Sequence, residues 1–185
     1  MTDARVLRGG SRGATRGIVV RDELRAGDLE AIVAHHRRIY GEEYGVDSSF
    51  GDFVAKAVAH TAERGFPGGR EAIRIVELDG EHVGSIGLSD EGDGEAAIRW
   101  VVLSPEVRGN GLGRRLLGEM LAFAEDHGYR RVWLETFSDL QAAAHLYREH
   151  GFVVTSADTA PRWGRESVTF QRYELELEAR ARLSA

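Results

Sequence analysis

Residues Leu103–Gly113 read LSPEVRGNGLG. They stand between an apolar run, AIRWVVL (97–103), and a stretch whose apolar residues recur at helical spacing, RRLLGEMLAFAEDHG (114–128). A strand therefore hands over to a helix through a segment that holds Gly109, Gly111 and Gly113 behind Arg108. A helix N-terminus leaves its first backbone N–H groups without internal partners, and the helix dipole adds positive potential there. Glycine has no Cβ, so an anion can come close to those groups, and Arg108 adds a planar cation at the mouth. The segment suits a phosphate or pyrophosphate. On spacing alone, a glycine-rich corner that binds nothing is an equal alternative. Two familiar phosphate loops do not match: G-x-G-x-G is not the G-x-G-x-x-G of dinucleotide sites, and no Lys-Ser or Lys-Thr completes a P-loop.

The flanking chain divides readily. Residues Met1–Gly17 are polar, Arg-bearing and Gly-rich, and read as a disordered basic tail. Ile18 opens a first strand, IVVRDEL. Asp28 is placed to cap a helix with apolar positions Leu29, Ile32, Val33, Ile39 and Tyr40. Ser48 or Ser49 is expected to cap a second helix with a buried stripe of Phe50, Phe53, Val54 and Val58, stopped by Gly65. EAIRIVEL (71–78), the pair Asp79-Gly80 and EHVGSIGLS (81–89) make a hairpin signal. The turn EGDGE (91–95) leads into a third strand that ends at the glycine segment. A helix from Leu112 to about His127, a strand YRRVWLETF (129–137) and a helix within SDLQAAAHLYREHGF (138–152) follow, the last capped by Ser138 or Asp139 and stopped by Gly151. FVVTSAD (152–158) and SVTFQRYELELE (167–178) are the final strands. The order β-α-α-β-β-β-α-β-α-β-β predicts a mixed α/β sheet in a single domain over 18–178, with a short tail over 179–185.

Composition narrows the function. The 185 residues carry a formal net charge of −6 and no cysteine, which excludes disulfides, thiolate catalysis and Cys-ligated zinc; no metal site is read. No apolar run approaches the length needed to cross a bilayer, and the N-terminus lacks the apolar core of a signal peptide, so a cytoplasmic protein is expected. The acidic balance argues against nucleic acid as the main partner.

The pattern R-x-x-G-x-G over Arg108–Gly113, after VVLSPE, resembles the acetyl-CoA pyrophosphate motif of the GNAT N-acetyltransferase superfamily. SDLQAAAHLYREHGF resembles that family's later helix, through Ala142, Leu146, Tyr147, Gly151 and Phe152. A narrower likeness is to the acetyltransferase half of proteins that fuse a MarR-type DNA-binding domain to a GNAT domain. The residues ahead of Ile18 are too few for that winged helix, so no DNA-binding role is carried over.

The resemblance implies the GNAT fold and direct transfer of an acetyl group from acetyl-CoA to a primary amine, on a small molecule or a protein. It implies that Val101 and Leu103 pair through their backbones with the pantetheine arm. Arg108, Gly109, Asn110, Gly111, Leu112 and Gly113 would hold the pyrophosphate, chiefly by backbone amides. Tyr147 matches the general acid that protonates the departing thiolate; a core tyrosine is the plain alternative. Asp139 stands where many members carry Asn, which leaves a cofactor contact there in doubt and helix capping as its expected role. Candidate bases are Glu135 and Glu43, with His36 behind them. His36, Tyr40, Glu43, Arg99 and Trp163 are candidate acceptor-site residues, Arg99 either for an acceptor carboxylate or for an acid across the sheet. His35 is expected at the surface. A non-catalytic acyl-CoA-binding module is the competing function. An exposed last strand leaves a homodimer open.

Overall fold

The computed structural model describes residues 17–177. Of the tails expected over 1–17 and 179–185, all but Gly17 lie outside the described residues. Strand β1 (Ile18–Arg21) leads to helices α1 (Asp28–Tyr44) and α2 (Ser48–Glu63). Strands β2 (Ala72–Leu78), β3 (Glu81–Gly92) and β4 (Glu95–Leu103) form a meander. A short 3-10 turn at Pro105–Val107 precedes α3 (Leu112–Asp126), then β5 (Arg131–Phe137), α4 (Gln141–Glu149), β6 (Val153–Arg162) and β7 (Arg165–Glu176). The element order is the expected one.

Turn chemistry drives the meander. Asp79-Gly80 (φ 54° and 88°) and Asp93-Gly94 (φ 50° and 75°) are left-handed at both positions, as two-residue hairpin loops require. Trp163-Gly164 does the same between β6 and β7, at φ 51° and 77°. β3 and β6 run to Gly92 and Arg162, past the ends expected from sequence, because each continues to its tight turn.

The strands make one seven-stranded sheet in the order β1-β2-β3-β4-β5-β7-β6. Its pairs are antiparallel except β4 with β5, which are parallel and joined over one face by α3. On that face Leu116, Leu117 and Met120 of α3 pack with Val76, Ile86 and Leu88, and Tyr147 of α4 belongs to the same cluster. On the other face α1 and α2 bring Ile32, Ile39, Val54 and Val58 onto Ile73, Ile75 and Val102. Each fully buried aliphatic side chain contributes about 1.5–3 kcal/mol relative to exposure. No helix among the described residues is long and apolar enough to cross a membrane.

The helix caps differ from expectation, and the reason is electrostatic. Asp28 is the first residue of α1, not its cap; the preceding Gly27 is left-handed and makes no side-chain cap. The Asp28 carboxylate accepts from Arg21 (2.9 and 3.1 Å) and from the Arg25 N–H (2.6 Å). Asp47, one residue before the expected serines, caps α2 by accepting from the Ser49 N–H at 2.9 Å. At α4 neither Ser138 nor Asp139 caps: Leu140 holds the position, and the Asp139 carboxylate pairs with Arg165 at 2.8 Å. Phe53, expected in the buried stripe, is 46% exposed.

Candidate active site

The sheet is incomplete at its centre. The β4–β5 ladder runs only from Glu95↔Arg131 to Ala97↔Trp133, although both strands continue well beyond. Past that point β5 pairs with β7 on its other side, so the β4 edge facing β5 has no strand on it. A bulge in β4 sits at this parting: Trp100 and Val101 together oppose Ile86, and Trp100 is left-handed at φ 51°. Ser85 Oγ fixes the bulge by donating to the Trp100 carbonyl at 2.7 Å. Gly87 makes room for the indole, since a Cβ there would stand 3.1 Å from Trp100 Cε3.

The glycine loop lies at the C-terminal end of the same strand. Gly109 and Gly111 are left-handed at φ 79° and 81°, and a Cβ on either would meet open space. Glycine is therefore demanded by the turn rather than by crowding. Gly113 is already helical, and its missing Cβ faces Leu103 and Leu146 at ordinary contact distance. Leu112 is buried. Its N–H donates to Asn110 Oδ1 at 3.2 Å, so the Asn110 side chain shapes the loop more than sequence suggests. The first amide returned to the chain from α3 is Arg115, to Gly111 O at 3.0 Å. Among the described residues this leaves the Gly113 and Arg114 N–H groups of the first turn for an anion. Arg108 braces the mouth: Nε donates to the Leu103 carbonyl at 2.7 Å and Nη1 to Glu43 Oε2 at 2.9 Å.

A cleft of about 120 Å³ opens where the strands part, with walls from both faces of the sheet. β4 contributes Arg99, Trp100 and Val101, and β5 contributes Leu134, Glu135 and Thr136. His36 and Tyr40 come from α1, Tyr147 from α4. Tyr147 is 3% exposed, and burial raises its phenol far above the usual 10. It is thus a protonated hydroxyl at neutral pH, at the wall of a cleft beside the open β4 edge. His36 is 4% exposed. Its Nδ1 lies 2.8 Å from the Ile32 carbonyl, which only accepts, so Nδ1 bears the proton and Nε2 the lone pair of the neutral ring. Burial lowers its pKa from 6.5 to about 4. Glu135 is exposed and lines the cleft two residues beyond the last β4–β5 pair.

Besides the residues of the glycine loop, three sequence candidates fall outside the cleft. Glu43 is the partner of Arg108. Trp163 stands behind the wall, with ring centroids 5.0 Å from Phe50 and 5.4 Å from Phe137, and its carbonyl accepts from the Asp47 N–H at 2.9 Å. It staples the β6–β7 turn to α2. The Leu103 side chain packs with the α3-side core, its carbonyl already held by Arg108. Arg99 does line the cleft, but it pairs with an acid across the sheet, Glu91 on β3, at 3.0 Å.

Sequence reasoning missed a buried polar group next to the loop. His35, expected at the surface, is 7% exposed; its Nε2 lies 2.8 Å from Ser104 Oγ, and its ring stacks edge-on with His82 at 5.1 Å. Ser104 is the first residue after β4, and its N–H donates to the Val83 carbonyl at 2.8 Å. Burial, with His82 beside it, lowers the His35 pKa from 6.5 to about 4. No local sequence signal marks a contact between residues so far apart in the chain.

Comparison with known proteins matches residues 31–152 to the model of the acetyltransferase (GNAT) family. The chain is 29% identical to the uncharacterised N-acetyltransferase YjgM of Escherichia coli (strain K12), over 65% of this chain and 74% of that protein. It is 27% identical to the probable N-acetyltransferase camello of Xenopus tropicalis, over 55% of this chain but only 49% of that protein, about half of its length. Among solved structures, an acetyltransferase of the GNAT family from Streptococcus pneumoniae superposes with a TM-score of 0.64 at 20% identity, covering 86% of this chain and 98% of that one. The yncA protein of Salmonella typhimurium, solved with its cofactor acetyl-CoA, gives 0.63 at 21% identity, covering 86% and 94%. At these identities the structural likeness shows the fold.

Proposed function

The chain belongs to the acetyltransferase (GNAT) family, and on that premise we propose that it transfers an acetyl group from acetyl-CoA directly to a primary amine. The observation that carries this reading is the open β4 edge, which runs from the wall of a cleft holding Tyr147 to a loop of anion-facing amides. The residues fit the donor. An unpaired strand edge suits an extended amide-bearing arm, which adds to it as another strand would. The first turn of α3 suits a pyrophosphate. Acetyl-CoA, when bound, supplies an acyl carbon joined to a tolerable leaving group.

The amine nitrogen forms the new C–N bond as the C–S bond breaks. Tyr147 is the group assigned to protonate the leaving sulfur; its raised pKa keeps that proton in place until thiolate develops. The incoming ammonium first gives up a proton. Glu135 is the carboxylate on its approach and His36 presents a neutral lone-pair nitrogen deeper in the cleft, so these two are the assigned acceptors, by way of water where needed. Glu43 is left to hold Arg108.

Titration calorimetry with acetyl-CoA and CoA, followed by thiol release with a panel of amines, tests the reading. Binding with turnover supports it. Binding without turnover would make the chain an acyl-CoA-binding module, and absence of binding would remove both.

A further inference from the structure

We propose that the acceptor is a primary amine carried on a compact apolar or aromatic body, with no carboxylate and no second ammonium. This rests on the acetyl-transfer reading and deepens it.

The charge inventory of the cleft makes the argument. Among the described residues, Arg99 and Glu135 are its only lining residues that are charged at neutral pH. Arg99 is engaged at two of its nitrogens and over one face. Its Nη2 donates to Glu91 at 3.0 Å, its Nε to Ser89 Oγ at 3.2 Å, and its guanidinium lies over the Trp133 ring at 4.6 Å. Glu91 already neutralises this guanidinium, so an acceptor carboxylate brought to it would meet Glu91, and Glu135 of the cleft, as like charges. Glu135 makes no ion pair among the described residues, so the cleft offers one anion for one ammonium. His36 is neutral and its N–H is spent on Ile32.

The wall made by α2 and β7 is apolar. Phe50, Phe53, Val54 and Ala57 of α2 face it together with Phe170 of β7. At the rim Phe53 is 46% exposed, with Trp163 at 5.5 Å and Phe170 at 6.4 Å, ring to ring. A half-exposed phenyl among aromatics gains most from an apolar body laid over it, and an ammonium passing the rings gains cation–π attraction. The second ammonium of a polyamine would find no second carboxylate in the cleft and would meet Arg99 as a like charge, and an amine rich in hydroxyls would press unpaired polar groups against these rings.

The test uses the whole chain, acetyl-CoA binding by calorimetry, and thiol release with phenethylamine, phenylalanine, propylamine and spermidine. We expect kcat/KM for phenethylamine to exceed that for phenylalanine and for spermidine by about tenfold or more, and that for propylamine by about fivefold. Phe53→Ala, at an exposed position, should shrink the phenethylamine-to-propylamine ratio severalfold and leave the acetyl-CoA Kd unchanged. Phenylalanine or spermidine used as well as phenethylamine overturns the proposal, as does a ratio that Phe53→Ala does not move. Acetyl-CoA binding with no turnover of any amine also overturns it while the cofactor site stands. Failure to bind acetyl-CoA removes the transfer reading itself.

Discussion

Arg108 and Glu43 join the glycine loop to the last turn of α1, with Nη1 donating to Oε2 over 2.9 Å. Both side chains are partly solvent-exposed, so the pair is worth at most about 1 kcal/mol. Glu43→Gln is expected to raise the acetyl-CoA Kd about two- to fivefold by loosening Arg108, with little effect on kcat. A calorimetric Kd equal to wild type, or a large fall in kcat, would return Glu43 to the list of candidate bases.

Tyr147→Phe keeps the buried ring and its packing 6.0 Å from Phe152 and 5.7 Å from Tyr173, and removes only the hydroxyl. General acid catalysis typically supplies about 10²–10⁴-fold, and thiolate leaves readily, so kcat should fall by about tenfold to a hundredfold with the acetyl-CoA Kd unchanged. Because burial raises the phenol pKa, Tyr147 should contribute no loss of rate as pH rises toward 10 in the wild type. Equal turnover by the variant in steady-state assays would retire the role.

Gly111 holds the residue before α3 at φ 81°, and any Cβ-bearing residue there is strained by about 1–2 kcal/mol. A Cβ would meet no neighbour, so Gly111→Ala should fold. The expected result is a Tm lower by several degrees and weaker acetyl-CoA binding. Gly113→Ala, in helical conformation, should be milder in both; the reverse ranking would contradict the loop geometry.

His35 and His36 make stability depend on pH. Each pKa falls from 6.5 to about 4 on folding, mainly through burial. Between these values the unfolded chain binds more protons than the folded one, so stability rises with pH across that window and is lost as pH falls through it. A depression of this size corresponds to about 3 kcal/mol for a fully buried ring. Urea unfolding at pH 7 and at pH 4.5 should show a loss of several kcal/mol, reduced in His35→Asn. An unchanged pH slope in that variant would mean His35 titrates normally.

The parts of the fold that rest on near neighbours in sequence were legible. Asp79-Gly80 and the glycines at 109 and 111 announce their turns within a few residues, and helical spacing located α1 through α4. What failed depended on distant partners. Asp28 and Asp139 look like helix caps until Arg21 and Arg165 claim their carboxylates. His35 reads as surface until Ser104, far along the chain, arrives beside it. The same holds within the site. Tyr147 and the loop are candidates that their motifs mark in the sequence, whereas the engagement of Glu43 by Arg108, and the retreat of Trp163 behind the wall, depend on tertiary packing.

The three-residue β4–β5 ladder also has a mechanical meaning. It makes the sheet two leaves, β1–β4 and β5–β7, joined at one end, with a strand edge at the gap on which no strand lies. A ligand that pairs with that edge acts as the missing rung. Acetyl-CoA should therefore slow amide hydrogen exchange along 98–103 and on β5 together, turning the donor into a temporary piece of secondary structure.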